Sequence, residues 1–448
     1  MGRILFLVRR LRERLWVKPL AFCLLAVLGV LAARAADSVA VLDALPDISA
    51  ETIEKLLSII AASMLAVATF AVASMISAYG SASSTATPRV FPLVVSDDVS
   101  QTALSSFIGA FIFSIVALIA VMTGFFGHAG RFIVFMLTLS AFAWVVLTFV
   151  RWVDSIARLG RLGATIAKAE AATERALVAR RDDPCLGGRP LTEGMTFETP
   201  VYSDEIGYVQ HIDMGLLQRE AERRGCRIAV AAQPGRFNAP GRALAYVSET
   251  EEGAADDEGP LEITKAFTIG AARTFEADPR FGLIALSEIA SRALSPAVND
   301  PGTAIAVIGA QLRLLSCWVR VDPEATGPEV SHDRVFVAPL SLSSMLDDAF
   351  TAISRDGAGT VEVGIRLQKS FLSLSCLGHT ALTRGARAHS KAHLARAERA
   401  MSHPADLAEI SGWASRVQEP RSVGVDAFAE PPELPPRTPP GWASPQTR

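Results

Sequence analysis

The chain has 448 residues, half of them apolar, and a formal charge of −3. That balance excludes a protein that holds nucleic acid on a broadly basic surface. Five cysteines, Cys23, Cys185, Cys226, Cys317 and Cys376, are odd in number and widely spaced, with no CxxC pair. Free thiols are expected, and neither disulfides nor a zinc site.

In chain order, four apolar stretches without charge come first, at 19–33, 56–79, 103–126 and 132–150. A membrane-spanning helix needs about 20 such residues. The first stretch is short, but Lys18 and Arg34 bracket it and can snorkel outward. Its basic start and Ala33-Arg34-Ala35 also fit a cleaved signal segment; a retained helix is the simpler reading. Arg3, Arg9, Arg10, Arg12, Arg14 and Lys18 precede the first span, and Arg151, Arg158, Arg161, Lys168, Arg175, Arg180 and Arg181 follow the fourth. The loop after span one is acidic instead, with Asp37, Asp43, Asp47, Glu51 and Glu54 against Arg34 and Lys55. This bias predicts both termini in the cytoplasm. Small residues four apart, Ala62 and Ala66, Ser105 and Gly109, Ala110 and Ser114, favour a close-packed bundle, with a hydroxyl-lined pore as the alternative. His128 is expected at the interface.

An amphipathic stalk helix is expected to leave the membrane over 151–184, stopped by Asp182-Asp183-Pro184 and Gly187-Gly188. Over 185–260 the texture becomes mostly β. Strands are predicted at 199–202, 207–212, 227–232 and 243–247, with a helix from Met214 capped by Asp213 and ended by Gly225. The acidic run 249–258 reads as a solvated linker. From 261 to 403 helices are predicted at 264–275, 281–294, 303–320, 342–355, 361–377 and 381–401. His389 and His393 share a face of the last, which reads as a solvated face and not as a metal site. The segment 404–448, with Pro431, Pro432, Pro435, Pro436, Pro439 and Pro440, is expected to be a disordered or polyproline tail able to bind a partner. The fold class is therefore a membrane α-helical domain of four spans (1–150), followed by an α+β cytoplasmic domain with a small β-rich module and a helical module.

The segment Ser291-Arg292-Ala293-Leu294-Ser295-Pro296-Ala297-Val298-Asn299-Asp300-Pro301-Gly302-Thr303-Ala304 carries two helix-start signatures, Ser295-Pro296 and Asp300-Pro301. They predict a tight elbow between two apolar helices, whose polar groups could hold an anion. With Arg273-Thr274, Asp278-Pro279-Arg280-Phe281-Gly282, Pro88-Arg89 and Phe107-Ile108-Gly109-Ala110-Phe111, this segment closely resembles the bacterial membrane-protein family called domain of unknown function 2254. The resemblance implies four spans and a cytoplasmic domain, and the expected location is the bacterial plasma (inner) membrane. It implies no established activity.

Two readings stay open for Arg273, Asp278, Arg292, Ser295, Asn299, Asp300 and Thr303. They are helix caps with a buried Arg–Asp pair, or they form a ligand or gating site. No Walker loop, GxSxG elbow, HExxH or paired catalytic carboxylates is present, so no catalytic residues, cofactor or metal are expected, and His211 beside Asp213 lacks a nucleophile. The expected function is a channel-like or transport-related homo-oligomer gated by its cytoplasmic domain. The alternative is a non-transporting sensor or scaffold.

Overall fold

The structure is a computed structural model that describes residues 17–37, 46, 48–95, 97–158, 161–249, 262–320 and 329–419. The basic N-terminal residues before 17, Asp43 and Asp47, most of the acidic run and the Pro-rich residues after 419 lie outside the described residues. The chain divides into two compact units, one of 1–289 with 326–339 and one of 290–325 with 340–448.

The first unit begins with α1 (Val17–Ala36), α2 (Ala50–Thr85), a 3-10 turn at Pro88–Val90, and α3 (Phe91–Val95). Then come α4 (Asp98–Met122) and α5 (His128–Arg158). Helix α4 is central and packs against α1, α2 and α5. Its start is fixed by Asp97, whose carboxylate accepts the Ser100 amide at 3.1 Å. The small residues do what their spacing predicts: a Cβ on Gly109 would lie 2.9 Å from Phe22 Cβ, so α1 lies directly on α4. Ile53, Leu57, Phe107, Phe113 and Trp152 fill the interior. Polar pairs mark two ends. At one, Lys18 meets Asp98 and Lys168 meets Asp97, both at 2.6 Å. At the other, Arg34 pairs with Asp37 at 3.1 Å, and Asp37 accepts the amides of Gly127 and Gly130 at 2.8 and 2.7 Å.

The stalk departs from expectation. Helix α5 runs on to Arg158, and a separate helix α6 (Leu162–Asp182) follows. Beyond it lie β1 (Gly188–Pro190), β2 (Thr199–Val201), β3 (Gly207–Ile212), α7 (Met214–Arg223), β4 (Ile228–Val230), β5 (Phe237–Asn238) and β6 (Ala245–Val247). As the sequence predicts, Asp213 caps α7, accepting the Leu216 amide at 3.0 Å, and Gly225 beyond it has φ +57°. The expected helix at 264–275 is replaced by a 3-10 turn, Ile263–Ala266, and strand β7 (Phe267–Gly270). Its Thr268 and Phe267 pair with His211 and Ile212 of β3, whose open edge overrides the local helical pattern. Strand β8 (His332–Val337) lies inside the stretch expected to be helical. It runs parallel to both β1 and β4, giving a five-stranded sheet β1-β8-β4-β6-β2 beside a three-stranded sheet β5-β3-β7. The core between these elements includes Val209, Leu217, Ile228, Leu244, Ile263 and Val335.

Helix α8 (Pro279–Ala293) crosses from the first unit into the second. The second unit continues with α9 (Pro301–Val319), α10 (Leu342–Asp356), α11 (Val361–Ser375), α12 (Thr380–Ala400) and α13 (Pro404–Gln418). Among the described residues five helices, not four, are long and apolar enough to cross a membrane, the fifth being α9. That helix buries Val307, Gln311 and Leu314 and packs against α11, so its apolar face has a protein partner. Helix α13 occupies residues expected in the tail, because Ile410, Trp413 and Val417 bury one face of it. The solvated face expected for His389 and His393 is likewise overturned. His393 is fully buried, with Nδ1 3.1 Å from Ser354 Oγ, and His389 lies 3.2 Å from Asp347 and is mostly covered.

Candidate functional site

The strand-to-helix connection 271–278 ends on a carboxylate that does two jobs. Asp278 precedes Pro279, and its Oδ1 accepts the Phe281 amide at 3.2 Å, which starts α8. The same carboxylate takes Arg273 Nε at 2.7 Å and Nη2 at 3.0 Å, a two-pronged pair with Asp278 only 3% exposed. The Arg273 guanidinium also lies 5.3 Å from the Phe281 ring centre. Burial pushes the Asp278 carboxyl up, against the pull of Arg273 and the Phe281 amide.

Two glycines make this approach feasible. Gly235, with φ +88°, closes the turn after Gln233-Pro234, and a Cβ there would lie 2.1 Å from Asp278 Oδ2. A Cβ on Gly282 would lie 1.9 Å from Thr173 Oγ1, so α8 lies against α6 at this point. The last turn of α6 brings Arg180 into the same interior. Arg180 is 3% exposed and donates Nη2 to Gln233 Oε1 at 2.6 Å, while Gln233 Nε2 donates to the Ala338 carbonyl at 2.7 Å. Among the described residues Arg180 Nε and Nη1 have no hydrogen-bond partner. Burial draws the Arg180 guanidinium down, and Asp183, Cys185 and Asp278 oppose it. A cation held out of water with unused N–H groups is a costly arrangement, and an oxyanion is the chemical group that would relieve it.

Sequence reading missed Arg180, Gln233 and Gly235. Arg180 reads as one more cation after the last span. The available hint was the Pro234-Gly235 turn, which signals a backbone that only glycine follows easily.

The remaining candidates lie in the second unit and serve the elbow. Asp300 caps α9: its Oδ1 accepts the Thr303 amide at 3.1 Å and its Oδ2 the Thr303 hydroxyl at 2.6 Å. Those two bonds hold the Asp300 carboxyl below its ordinary value. Ser295-Pro296 does not start a helix. The Ser295 carbonyl accepts the amides of Val298 and Asn299, Asn299 turns through φ +50°, and the Asp300 amide closes the loop onto the Ala293 carbonyl at 2.8 Å. Arg292 and Asn299 are exposed, and Arg292 makes no ion pair among the described residues. Among the described residues no three His, Cys, Asp or Glu side chains converge as metal ligands.

Several apolar helices long enough to cross a membrane, joined to a mixed sheet and a helical unit, are the pattern of a membrane protein. The profile of the predicted membrane protein family DUF2254 matches residues 12–373, and the chain belongs to that family. An uncharacterized protein of Mycobacterium bovis is 33% identical over 111 residues, 24% of this chain and 21% of the relative. Uncharacterized proteins of two Mycobacterium tuberculosis strains match with the same figures. The matched stretch thus spans about a fifth of these relatives' length. No solved structure matches the chain significantly.

Proposed function

We propose that this protein is a membrane transducer: its extra-membrane part takes an anionic ligand beside Arg180 and passes the change to the connection between the second and third spans. One observation carries the reading. Helix α8 starts at Asp278 in the buried cluster, and on the same helix Glu288 pairs with Arg89 and accepts from Thr87. Thr87 and Arg89 lie directly between α2 and α4. Ten residues of helix, about 15 Å, therefore join the cluster to the membrane connection as one rigid element. Lys18, Arg89, Arg151 and Lys168 all belong to this end, which we place in the cytoplasm of a bacterial plasma membrane. A homo-oligomer, and a partner for the Pro-rich tail, are part of the same proposal.

A channel-like protein gated through the same link is the second reading, favoured by Ser114 Oγ, which is buried within α4 without a hydrogen-bond partner among the described residues. Because apolar side chains fill the single bundle, a conducting path would have to run between copies. Hydrogen exchange on the full chain in lipid nanodiscs tests the link, with Gly235→Ala as the perturbation of the cluster. Exchange at 86–95 should rise in the variant. A change confined to 207–285 would remove the transducer reading. Ion flux through liposomes carrying the wild type would establish the channel reading in its place.

A further inference from the structure

The second unit holds a cationic cleft that the Arg180 cluster does not involve. No acid occurs between Glu362 and Glu398, and the face of α12 at Thr380, Thr383, Arg384, Arg387 and Lys391 repeats at helical spacing. That face and Gln418 of α13 line a cavity of about 720 Å³, the size of a small-ligand site. Arg387 is committed to the fold: its Nε and Nη2 donate to the carbonyls of Val417 and Glu419 at 3.2 and 3.4 Å, and Gln418 Nε2 donates back to the Arg387 carbonyl at 3.1 Å. This pins the end of α13 against α12 and fixes one wall. Arg384 and Lys391 flank the anchored arginine, both exposed and with no hydrogen bond or ion pair among the described residues. Like charges along one helical face repel, and no Asp or Glu is among the residues that line the cavity.

We infer that this cleft binds a phosphate ester with two anionic groups. Arg384 and Lys391 are seven residues apart, about 10 Å along the helix, a gap their long side chains can close around two linked phosphates. The arginine fork matches the oxygens of a phosphate, and the lysine supplies a point charge to the second group. The Thr380 hydroxyl, exposed at the start of the helix, is a further donor. The same chemistry is offered by a soluble diphosphate ester and by the headgroups of an anionic lipid surface. The site stands whether or not the Arg180 cluster takes an anion.

The test is calorimetric titration of pyrophosphate into the full chain in zwitterionic nanodiscs, with hydrogen exchange at 380–391 in anionic nanodiscs as the lipid arm. Saturable pyrophosphate binding identifies a soluble ester. Protection of 380–391 by anionic lipid alone identifies a headgroup. Either result should weaken at least ten-fold in Arg384→Gln/Lys391→Gln, whose exposed positions leave the thermal midpoint unchanged. Arg399→Gln, on the same helix but outside the cleft, should bind like the wild type. Absence of both responses, or an equal loss in the Arg399 variant, overturns the assignment.

Discussion

Replacing Arg180 with Met should leave the protein as stable as before or make it more stable, even though Arg180 is a buried charged residue, only 3% exposed. Among the described residues Nε and Nη1 find no hydrogen-bond partner. Those atoms carry three N–H groups, and each buried donor left unmade costs about 1–3 kcal/mol. Methionine removes that cost while filling much of the same volume. Against the gain stand the Nη2 bond to Gln233 Oε1, at 2.6 Å, and the stranding of that oxygen. Each of those two losses is worth about as much as one unmade donor, so three gains against two losses leave a net gain of about 1–3 kcal/mol. For a unit of this size that is a thermal midpoint raised by about 2–10 °C. Thermal unfolding of the full chain in nanodiscs, followed by tryptophan fluorescence, measures it, and Arg180→Ala should be worse than Met because it adds a cavity. A fall of more than about 4 °C for Arg180→Met, equivalent to over 1 kcal/mol, would mean that the guanidinium holds the fold together. The cluster would then be structural, and the ligand reading would lose its basis. A neutral or stabilising result would mark Arg180 as kept for something other than stability.

Three further outcomes follow from the same geometry. Gly235→Ala should destabilise the first unit by about 3 kcal/mol or more, since the new methyl group meets Asp278 in a left-handed backbone and breaks a buried ion pair; thermal unfolding with loss under 1 kcal/mol would refute the close approach. Asp300→Ala should cost about 1 kcal/mol through the lost α9 cap, with faster exchange at the Thr303 amide, and Asp300→Asn should recover most of it. His393 has its pKa pushed down to about 4 by burial beside Ser354. The folded form therefore binds fewer protons than the unfolded one between pH 4 and 6.5, so stability falls as pH drops through that window, by at most about 3 kcal/mol. His389, also lowered by burial, acts in the same direction. Unfolding of His393→Asn measured against pH should show a visibly shallower acid loss; an identical slope would show that His393 does not titrate there.

Much of the membrane half was readable from composition alone. Uncharged runs of spanning length, Lys18 and Arg34 at the ends of the first, and Gly109 inside the third are local facts, and lipid imposes helices on such runs whatever their neighbours do. Caps were equally local: Asp213 and Asp300 each satisfy an amide three residues on, so they act where the sequence places them. What the chain could not announce was pairing across distance. Thr268 and Ile269 joined a strand because β3 presented an open edge, and β8 entered the sheet between β1 and β4 by a connection no local pattern describes. Burial decided the rest. Arg180 sits in a row of cations that resemble one another in sequence, and His393 lies on a polar helix. Each became distinct only when packing removed it from water, because the cost of an unpaired N–H or of a charged imidazole depends on surroundings and not on neighbours along the chain.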